Sequence, residues 1–469
     1  MLKNTIIIGA GEAGYMVAKE LTDSSALARQ FSLLGFLDDD KSKKEISGFP
    51  VLGRITDAKK IIENNDIQTV IIAIPSATRD IITKIITKIS PLNVQLKIVP
   101  GIVEIIEGDV HWNLVRNVKP EDLLGREEVG FDFDLISPFY KDKTIFVTGA
   151  GGSIGSEIFK QILKLPIKKA IAFGRGENNI HKLLIKTGHD KRIDYVIGNI
   201  QDYNKVLFEI KKYKPDIIFH AAAHKHVPMM EEFPEEAVKN NIIGTYNVAQ
   251  ASLQNNVRFF VYISTDKAVN PTSIMGATKR IAEKIILSYN RLKKTRFLLT
   301  RFGNVLGSKG SVISTFIEQI KKGGPVTITD KKIERYFMSI PEAARLVIKS
   351  PTVKDGNVFI LNMGKPIKIV DLARNLIKLT GNDIKNIPIV FTGLRKGEKL
   401  YEELHHENDN LISTKFDKLL ISKEDICLKT NEINRLIKDF RELANNIERD
   451  KIRKLLKKYT SPHQNIGKI

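Results

Sequence analysis

The sequence predicts an α/β chain in which two doubly wound parallel sheets follow one another, the second carrying a smaller C-terminal lobe. Three observations predict it. A short apolar run, a glycine turn and a helical pattern occur together twice, at TIIIGAGEAGYMVAKEL from residue 5 and TIFVTGAGGSIGSEIFKQIL from residue 144. After each, apolar runs of strand length alternate with helical patterns, the rhythm of a parallel sheet crossed by helices. Between the two series lies a stretch with no period. The fold class is therefore α/β, with two doubly wound parallel-sheet Rossmann-like domains.

In the first series the strands are TIII at 5–8, FSLLGFLDDD at 31–40, VIIAIP at 70–75 and VQLKIVP at 94–100, and the domain spans 1–115. Residues 116–142 hold Pro120, Gly125, Gly130 and Pro138 without periodicity and read as a connector on the surface of the next domain. At 143 the rhythm restarts. KTIFVTG, AIAFGR, YVIGNI, IIFHAAA, FFVYIS and FLLTRFGNVLG supply strands, with helical patterns such as EEAVKNNIIGTYNVAQASL between them. Past residue 310 the elements shorten, as in a substrate-binding lobe, so the second domain is 143–425. The remainder, 426–469, is helical, basic and amphipathic, the pattern of a packing helix with a solvated face.

Hydrophobic residues make up 42% of the 469 and charged residues 27%, a globular balance with ample core. No apolar run approaches the ~18 residues of a spanning helix. The N-terminus leads into a strand and a glycine turn, not a signal peptide. One cysteine, Cys427, excludes a disulfide framework and a multi-cysteine zinc site. A cytoplasmic location is expected. The formal net charge of +20 raises nucleic acid, a membrane surface or an anionic substrate as partners. The lysines are spread through every segment, however, and no reader motif or aromatic-basic platform appears, so nucleic acid is not expected.

A glycine turn between strand and helix sets backbone N–H groups and a helix N-terminus against a phosphate. Gly9, Gly11 and Gly14 meet that context, but the same spacing serves a tight turn with no ligand. Asp38, Asp39 and Asp40 could likewise hold a ribose or form a solvated turn. The second turn, TGAGGSIG, differs in spacing from the first and resembles the extended short-chain dehydrogenase cofactor turn. Gly149 permits the sharp turn, Gly152 lets backbone approach a pyrophosphate, and Gly155 lets helix and strand pack closely. At the next strand end Gly174 and Arg175 replace the usual ribose-binding acid. An arginine there suits a 2′-phosphate, so the expected cofactor is NAD(P) with a lean to NADP, and the alternative is a solvated arginine.

Five segments carry a resemblance: HAAAHKHVPMMEEFPEEAVKNNIIGTYN (220–247), STDKAVNPTSIMGATKR (264–280), TRFGNVLGSKGSVI (300–313), RYFMSIPEAA (335–344) and GLRKGEKLYEEL (393–404). They resemble the nucleotide-sugar 4,6-dehydratases of bacterial polysaccharide and glycan synthesis, most of all the large UDP-N-acetylglucosamine enzymes that carry an extra N-terminal Rossmann domain. Large members usually begin with transmembrane helices. This chain shows none, so it is either a naturally soluble form or its membrane part lies outside this sequence.

The resemblance implies that hydride leaves sugar carbon 4 for the nicotinamide, a proton leaves carbon 5, hydroxide leaves carbon 6, and the hydride returns to carbon 6. The cofactor ends as it began and can stay tightly bound. Most short-chain dehydrogenases use the tyrosine of YxxxK to take the 4-hydroxyl proton. Here that position is Met275, with Lys279 four residues on, so either the site is silent or the proton chemistry has moved to Ser264-Thr265-Asp266-Lys267. The resemblance favours the second reading. Thr265 is then expected to bind the 4-hydroxyl, with Asp266 as acid and Lys267 as base, or the reverse. A lysine base needs a lowered pKa, which the positive charges of Lys279 and the oxidised nicotinamide would supply. Lys279 would hold the nicotinamide ribose.

Ser153, Ile154, Asn199, Ile200, Ala221 and Ala222 would join Gly149, Gly152, Gly155 and Arg175 around the dinucleotide. Lys225 and Glu231 would sit near the sugar, Asn304 near the sugar or diphosphate, and Arg335 and Arg395 at the diphosphate, unless either arginine forms a structural ion pair. His220, His224 and His226 lack a carboxylate partner, so no metal is expected. The partner is a UDP-sugar, a homo-oligomer is expected, and carbon 5 configuration is expected to be retained. The N-terminal domain would bind a nucleotide or UDP-sugar. A nucleotide-sugar 4-epimerase is the competing enzyme reading, and a catalytically silent nucleotide-sugar sensor the competing non-enzyme one.

Overall fold

The computed structural model describes residues 2–92, 94–99, 115–118, 122, 130, 132–308, 310–380, 382, 384–407, 409–424 and 428–460. Cys427, most of the connector between 119 and 131, and the end of the C-terminal segment lie outside the described residues. The chain forms two compact units. One is Met1–Glu128 with Gly310–Ile328 and Ile369–Thr392, and the other is Val129–Lys309, Thr329–Lys368 and Gly393–Ile469.

The first unit is built on a seven-stranded sheet in the order Glu45–Ile46, Phe49–Gly53, Phe31–Leu37, Lys3–Ile8, Thr69–Ile72, Gln95–Ile98 and Arg116–Asn117. The middle five are parallel and the two outer strands antiparallel. Ile6, Ile7 and Ile8 are fully buried, as expected of a strand covered on both faces. The hairpin at 45–53 was not expected from apolar runs. Its turn residues Ser47 and Gly48 both have positive φ, and that turn chemistry is the signal in the sequence. At the glycine turn, a Cβ on Gly14 would stand 2.0 Å from the Gly9 carbonyl oxygen, so helix and turn pack with no room for a side chain. Asp38 accepts the Ala10 N–H at 2.7 Å and pairs with Lys43 at 3.2 Å, which ties its carboxylate to the turn itself. The amphipathic helix Ile369–Leu379 buries Ile369, Leu372, Ala373, Leu376 and Ile377 and packs on the helix Arg79–Ile89 of the same unit.

The second unit has a nine-stranded sheet: Ile193–Ile197, Lys169–Gly174, Thr144–Thr148, Ile217–His220, Phe259–Ile263, Arg296–Arg301, Val358–Leu361, Leu419–Ser422 and Leu411–Ser413. The first seven are parallel, Leu419–Ser422 runs antiparallel to them, and Leu411–Ser413 pairs antiparallel with Leu419–Ser422. Chain order reverses between Thr144–Thr148 and Ile217–His220, the switch point where open α/β sheets bind ligands at their carboxyl ends. Both faces of the sheet carry an apolar core. The C-terminal helices Thr430–Asn445 and Arg449–Thr460 bury Leu436, Phe440, Ile452 and Leu456 into one of them. A helix at Phe133–Tyr140 departs from the expected surface connector. It buries Ile136 and Tyr140, and the tyrosine hydroxyl donates to the Ile348 carbonyl at 2.6 Å. One short helix containing Pro138 gives no readable period. Among the described residues no helix is long and apolar enough to cross a membrane.

Candidate active site

The second glycine turn leaves the strand Thr144–Thr148 at the switch point. Gly149 has φ +66°, and a Cβ there would meet the Ala222 nitrogen at 2.7 Å and Ala221 carbonyl carbon at 2.8 Å. Gly155 is confined in the same way, 2.3 Å from the Gly149 oxygen. Gly152 is the N-cap of the helix Ser153–Ile162 and gives it no side-chain cap, so the first N–H groups keep their capacity for an anion. Gly149, Gly152, Arg175, Asn199, Ile200, Ala221 and Ala222 line one cavity of about 290 Å³. Ser153 and Ile154 form the first helical positions beside it. A glycine cradle, an uncapped helix N-terminus and a wall of alanines together fit a dinucleotide.

The HAAAHKH loop is pinned from behind. Asn241 lies in a π-helical segment, Val238–Gly244, and is fully buried. Its side chain accepts the His224 N–H at 2.8 Å and donates to the His224 carbonyl at 3.0 Å. His220 bonds Thr148 at 2.7 Å through Nδ1 and Thr245 at 3.0 Å through Nε2. Burial, with Lys279 adding, pushes its pKa down to about 3. It is a neutral core histidine whose two nitrogens are spent.

The STDK segment leaves the strand Phe259–Ile263 at the same edge of the sheet. The Thr265 hydroxyl donates to Asp266 Oδ1 at 2.8 Å, and Lys267 Nζ reaches the same oxygen at 3.0 Å. Asp266 is fully buried, and its Oδ2 has no hydrogen-bond partner. A Cβ on Gly303 would come within 2.9 Å of that oxygen, which explains the glycine in RFGNVLG. Lys267 Nζ also lies 3.5 Å from Asn304 Oδ1 and 3.3 Å from Glu402 Oε1. Glu402 was not singled out from the sequence, although GLRKGEKLYEEL was. Burial alone would lower the Lys267 pKa, but Asp266 and Glu402 outweigh it and hold it above the usual lysine range. This corrects the expected lowering. The cation acting on Lys267 is Arg335, not Lys279, and two carboxylates overcome it. Burial and Asp266 push the Glu402 carboxyl up against the opposing pull of Lys267 and Arg335.

Met275 is 3% exposed in the helix Ile274–Ser288, with Lys279 one turn later. Lys279 Nζ donates to the Ile263 carbonyl at 2.6 Å and stands 3.9 Å over the Tyr262 ring. Burial pushes its pKa down to about 7.

A second cavity of about 120 Å³ is lined by Lys267, Arg335, Arg395 and Glu402 among others. Arg335 is 6% exposed and donates to the carbonyls of Glu334, Lys399 and Leu400 at 2.7, 2.8 and 3.1 Å. It also forms ion pairs with Glu398 and Glu402, so its guanidinium is engaged by this chain's own groups where it lines the cavity. Arg395 is exposed at the same cavity. Lys225 Nζ lies 3.5 Å from Ser308 Oγ, and burial lowers its pKa. Glu231 accepts the Ile274 N–H at 2.6 Å, so its carboxylate serves the N-terminus of the Met275 helix.

The family profile described as "Polysaccharide biosynthesis protein" matches residues 145–424, and one described as "CoA-binding domain" matches 2–100. The chain is 44% identical over 97% of its length to "Capsular polysaccharide biosynthesis protein CapD" of Staphylococcus aureus, covering 76% of that protein. It is 46% identical over 93% of its length to "Probable polysaccharide biosynthesis protein EpsC" of Bacillus subtilis, covering 74% of it. A protein named UDP-glucose 4-epimerase from Rickettsia typhi is 36% identical over 58% of this chain and 80% of its own. Among solved structures, Pen from Bacillus thuringiensis superposes with a TM-score of 0.57 at 34% identity, covering 64% of this chain and 99% of Pen. The chain belongs to the polysaccharide biosynthesis protein family whose profile spans its second glycine turn, its STDK segment and Glu402.

Proposed function

We propose that the chain is a nucleotide-sugar 4,6-dehydratase that uses bound NAD(P) to convert UDP-N-acetylglucosamine to its 4-keto-6-deoxy derivative. One observation carries the reading. A buried Asp266–Lys267–Glu402 cluster stands at the carboxyl edge of the sheet, while the position of the usual tyrosine holds Met275, which cannot take a proton. Relatives named for polysaccharide biosynthesis support the pathway class, and those named UDP-glucose 4-epimerase support a UDP-sugar as substrate.

Gly149, Gly152, Ser153 and Ile154 would hold the dinucleotide pyrophosphate, Ala221 and Ala222 its flat course, Arg175 the adenosine ribose, and Lys279 the nicotinamide ribose. The nicotinamide supplies hydride acceptance at sugar carbon 4 and hydride return at carbon 6. The chain's residues move the protons. Thr265 orients the 4-hydroxyl, and Asp266 and Lys267 share the carbon 5 and carbon 6 steps. Burial of the carboxylates excludes water from the proton path. Arg395, exposed at the second cavity, is the arginine left free to meet a diphosphate.

Incubation with UDP-N-acetylglucosamine and mass spectrometry tests the reading. Loss of one water mass is expected. An isobaric product means epimerisation, and binding without any product means a sensor. The cofactor site has its own test. In Gly152→Val a Cβ meets the Gly149 oxygen at 3.1 Å, a tight contact to which the turn must yield by a few tenths of an ångström, and the side chain intrudes on the cradle; melting temperature is measured alongside. Nicotinamide dinucleotide affinity, measured by fluorescence titration, is expected to fall about tenfold or more. An unchanged affinity would place the dinucleotide elsewhere.

A further inference from the structure

The C-terminal helix Arg449–Thr460 reads from the sequence as packing, and Ile452 and Leu456 are buried in the core. Its arginines reach further. Arg453 donates through Nη2 to the Glu231 carbonyl, and its Nη1 is buried with no hydrogen-bond partner. Burying a guanidinium N–H without an acceptor costs stability, so packing alone does not account for an arginine here. One turn earlier, Arg449 holds the buried Glu235 with two nitrogens, at 2.8 and 3.1 Å, and lies 5.0 Å from the centre of the Phe233 ring. Both arginines therefore fix the segment at the short helix Val227–Glu232. Six residues do not hold a helix by themselves. This one has no side-chain cap at its N-terminus, and Met230 is its one buried residue. Its place depends on what grips it from outside.

Val227 and Pro228 of that helix line the second cavity together with Lys267, Arg395 and Gly397. Glu231 ties this wall to the others. Its Oε1 accepts the Ile274 N–H at 2.6 Å, and a Cβ on Gly397 would stand 3.2 Å from the same oxygen and 2.9 Å from the Ser273 Cβ. The Gly397 carbonyl in turn accepts the Thr272 hydroxyl at 3.0 Å. Three segments thus meet at Glu231: the short helix, Thr272 to Ile274, and the loop that carries Arg395. The proposed proton-moving and cofactor groups are anchored independently. Lys267 is held by Asp266 and Glu402, Lys279 by the Ile263 carbonyl, and the Met275 helix by its own Ser273 cap. We propose that Arg453 and Arg449 are positioning residues that fix the Val227–Glu232 wall from the C-terminal helix and so set the affinity for a UDP-sugar without touching it, a role that rests on reading the second cavity as the substrate's. A wall left loose has to be ordered when the ligand binds, and that ordering subtracts from affinity.

Arg453→Ala tests this, because Ile452 and Leu456 still pack the helix. KM for UDP-N-acetylglucosamine is expected to rise about tenfold while kcat stays within about twofold, the pattern of lost binding and not of lost chemistry. The Kd of UDP, measured by titration calorimetry, should rise by a similar factor. Affinity for the nicotinamide dinucleotide should stay within about twofold, since other residues line its cavity. Arg453→Lys returns a donor to the Glu231 carbonyl and should recover much of the loss. Arg449→Gln, at the more exposed position, serves as the second variant if Arg453→Ala impairs folding. KM and UDP affinity that match the wild type in both variants overturn the role. So does a dinucleotide affinity that falls in step with that for UDP, because the arginines would then support the whole unit and not this wall. A fallen kcat with KM unmoved overturns it as well. A wild type that binds neither UDP nor UDP-N-acetylglucosamine sinks the substrate reading and this proposal together, whereas a wild type that binds them with indifferent variants sinks the proposal alone.

Discussion

Asp266→Asn is expected to abolish dehydration while leaving the protein folded. The asparagine is isosteric and keeps an oxygen for the Thr265 hydroxyl, which lies 2.8 Å from Oδ1, and for Lys267 at 3.0 Å. It cannot store a proton. The Asp266 Oδ2 is buried and without a hydrogen-bond partner, as is Oε2 of Glu402. Loss of a positioned acid or base costs about 10²–10⁴ in rate, and kcat for water release is expected to fall within that range. A second readout separates proton abstraction from later steps. In deuterium oxide, loss of solvent deuterium from carbon 5 in Asp266→Asn would mark Asp266 as the base at carbon 5, and exchange that persists without water release would mark it as the acid at carbon 6. Melting temperature, measured alongside, distinguishes lost chemistry from lost structure. A variant turning over within threefold of wild type would remove Asp266 from the mechanism. Lys267→Met is a less clean probe, because it leaves Asp266 and Glu402 buried without the cation they share.

Much of this site was legible because its pieces are contiguous. The TGAGGSIG turn carries the constraint at Gly149 in its own spacing, and Asp266 and Lys267 are neighbours in the chain, so one strand end delivers both. The fold followed from the same locality, since each parallel strand is a short apolar run with a turn beside it. What the sequence hid depends on pairing across distance. Glu402 meets Lys267 from a segment more than a hundred residues downstream, and nothing in GLRKGEKLYEEL marks which glutamate turns inward. Arg335 has the residue type of a phosphate ligand, and only the carbonyls of Lys399 and Leu400 reveal that its donors are occupied. Glu231 shows the same gap, because the N–H it accepts belongs to Ile274, far along the chain. The expected pKa of Lys267 was wrong in sign for this reason. Lys279, four residues after Met275, was the visible cation, whereas the carboxylate that helped tip the balance was remote. The grouping of Gly310–Ile328 and Ile369–Thr392 with the first unit is likewise a matter of which amphipathic face finds which partner.

Arg301→Met is expected to destabilise the second unit by about 3–5 kcal/mol at neutral pH, the cost of stranding buried carboxylates. Arg301 is fully buried. It bonds Glu283 at 2.8 and 2.7 Å, and it bonds both oxygens of Glu424, one of them at 2.9 Å. Arg280 bridges the same two glutamates at 3.1 and 2.8 Å, so two arginines face two carboxylates in a charge-balanced core. The network also supports the site, because the Ser264 hydroxyl donates to Glu283 at 2.6 Å and Ser264 precedes Thr265. Without Arg301, Arg280 alone must serve both glutamates. The melting transition should fall on the order of 10 °C. The pH dependence follows from the carboxyls. Burial pushes Glu283 and Glu424 up, but the arginines hold both below the usual carboxylate range. A carboxyl lowered by folding contributes stability above its unfolded pKa and loses it as pH falls through the folded value. In the variant burial prevails, the carboxyls take up protons more readily, and acidification relieves the stranded charge. The difference in stability between wild type and variant should therefore be widest near pH 7 and narrow toward pH 5. Glu283→Gln combined with Arg301→Met should cost less than the two single losses added, since each removes the burden the other creates. Strict additivity, with a gap that does not change with pH, would mean that the four side chains contribute packing and not paired charge, and that Ser264 is held by shape alone.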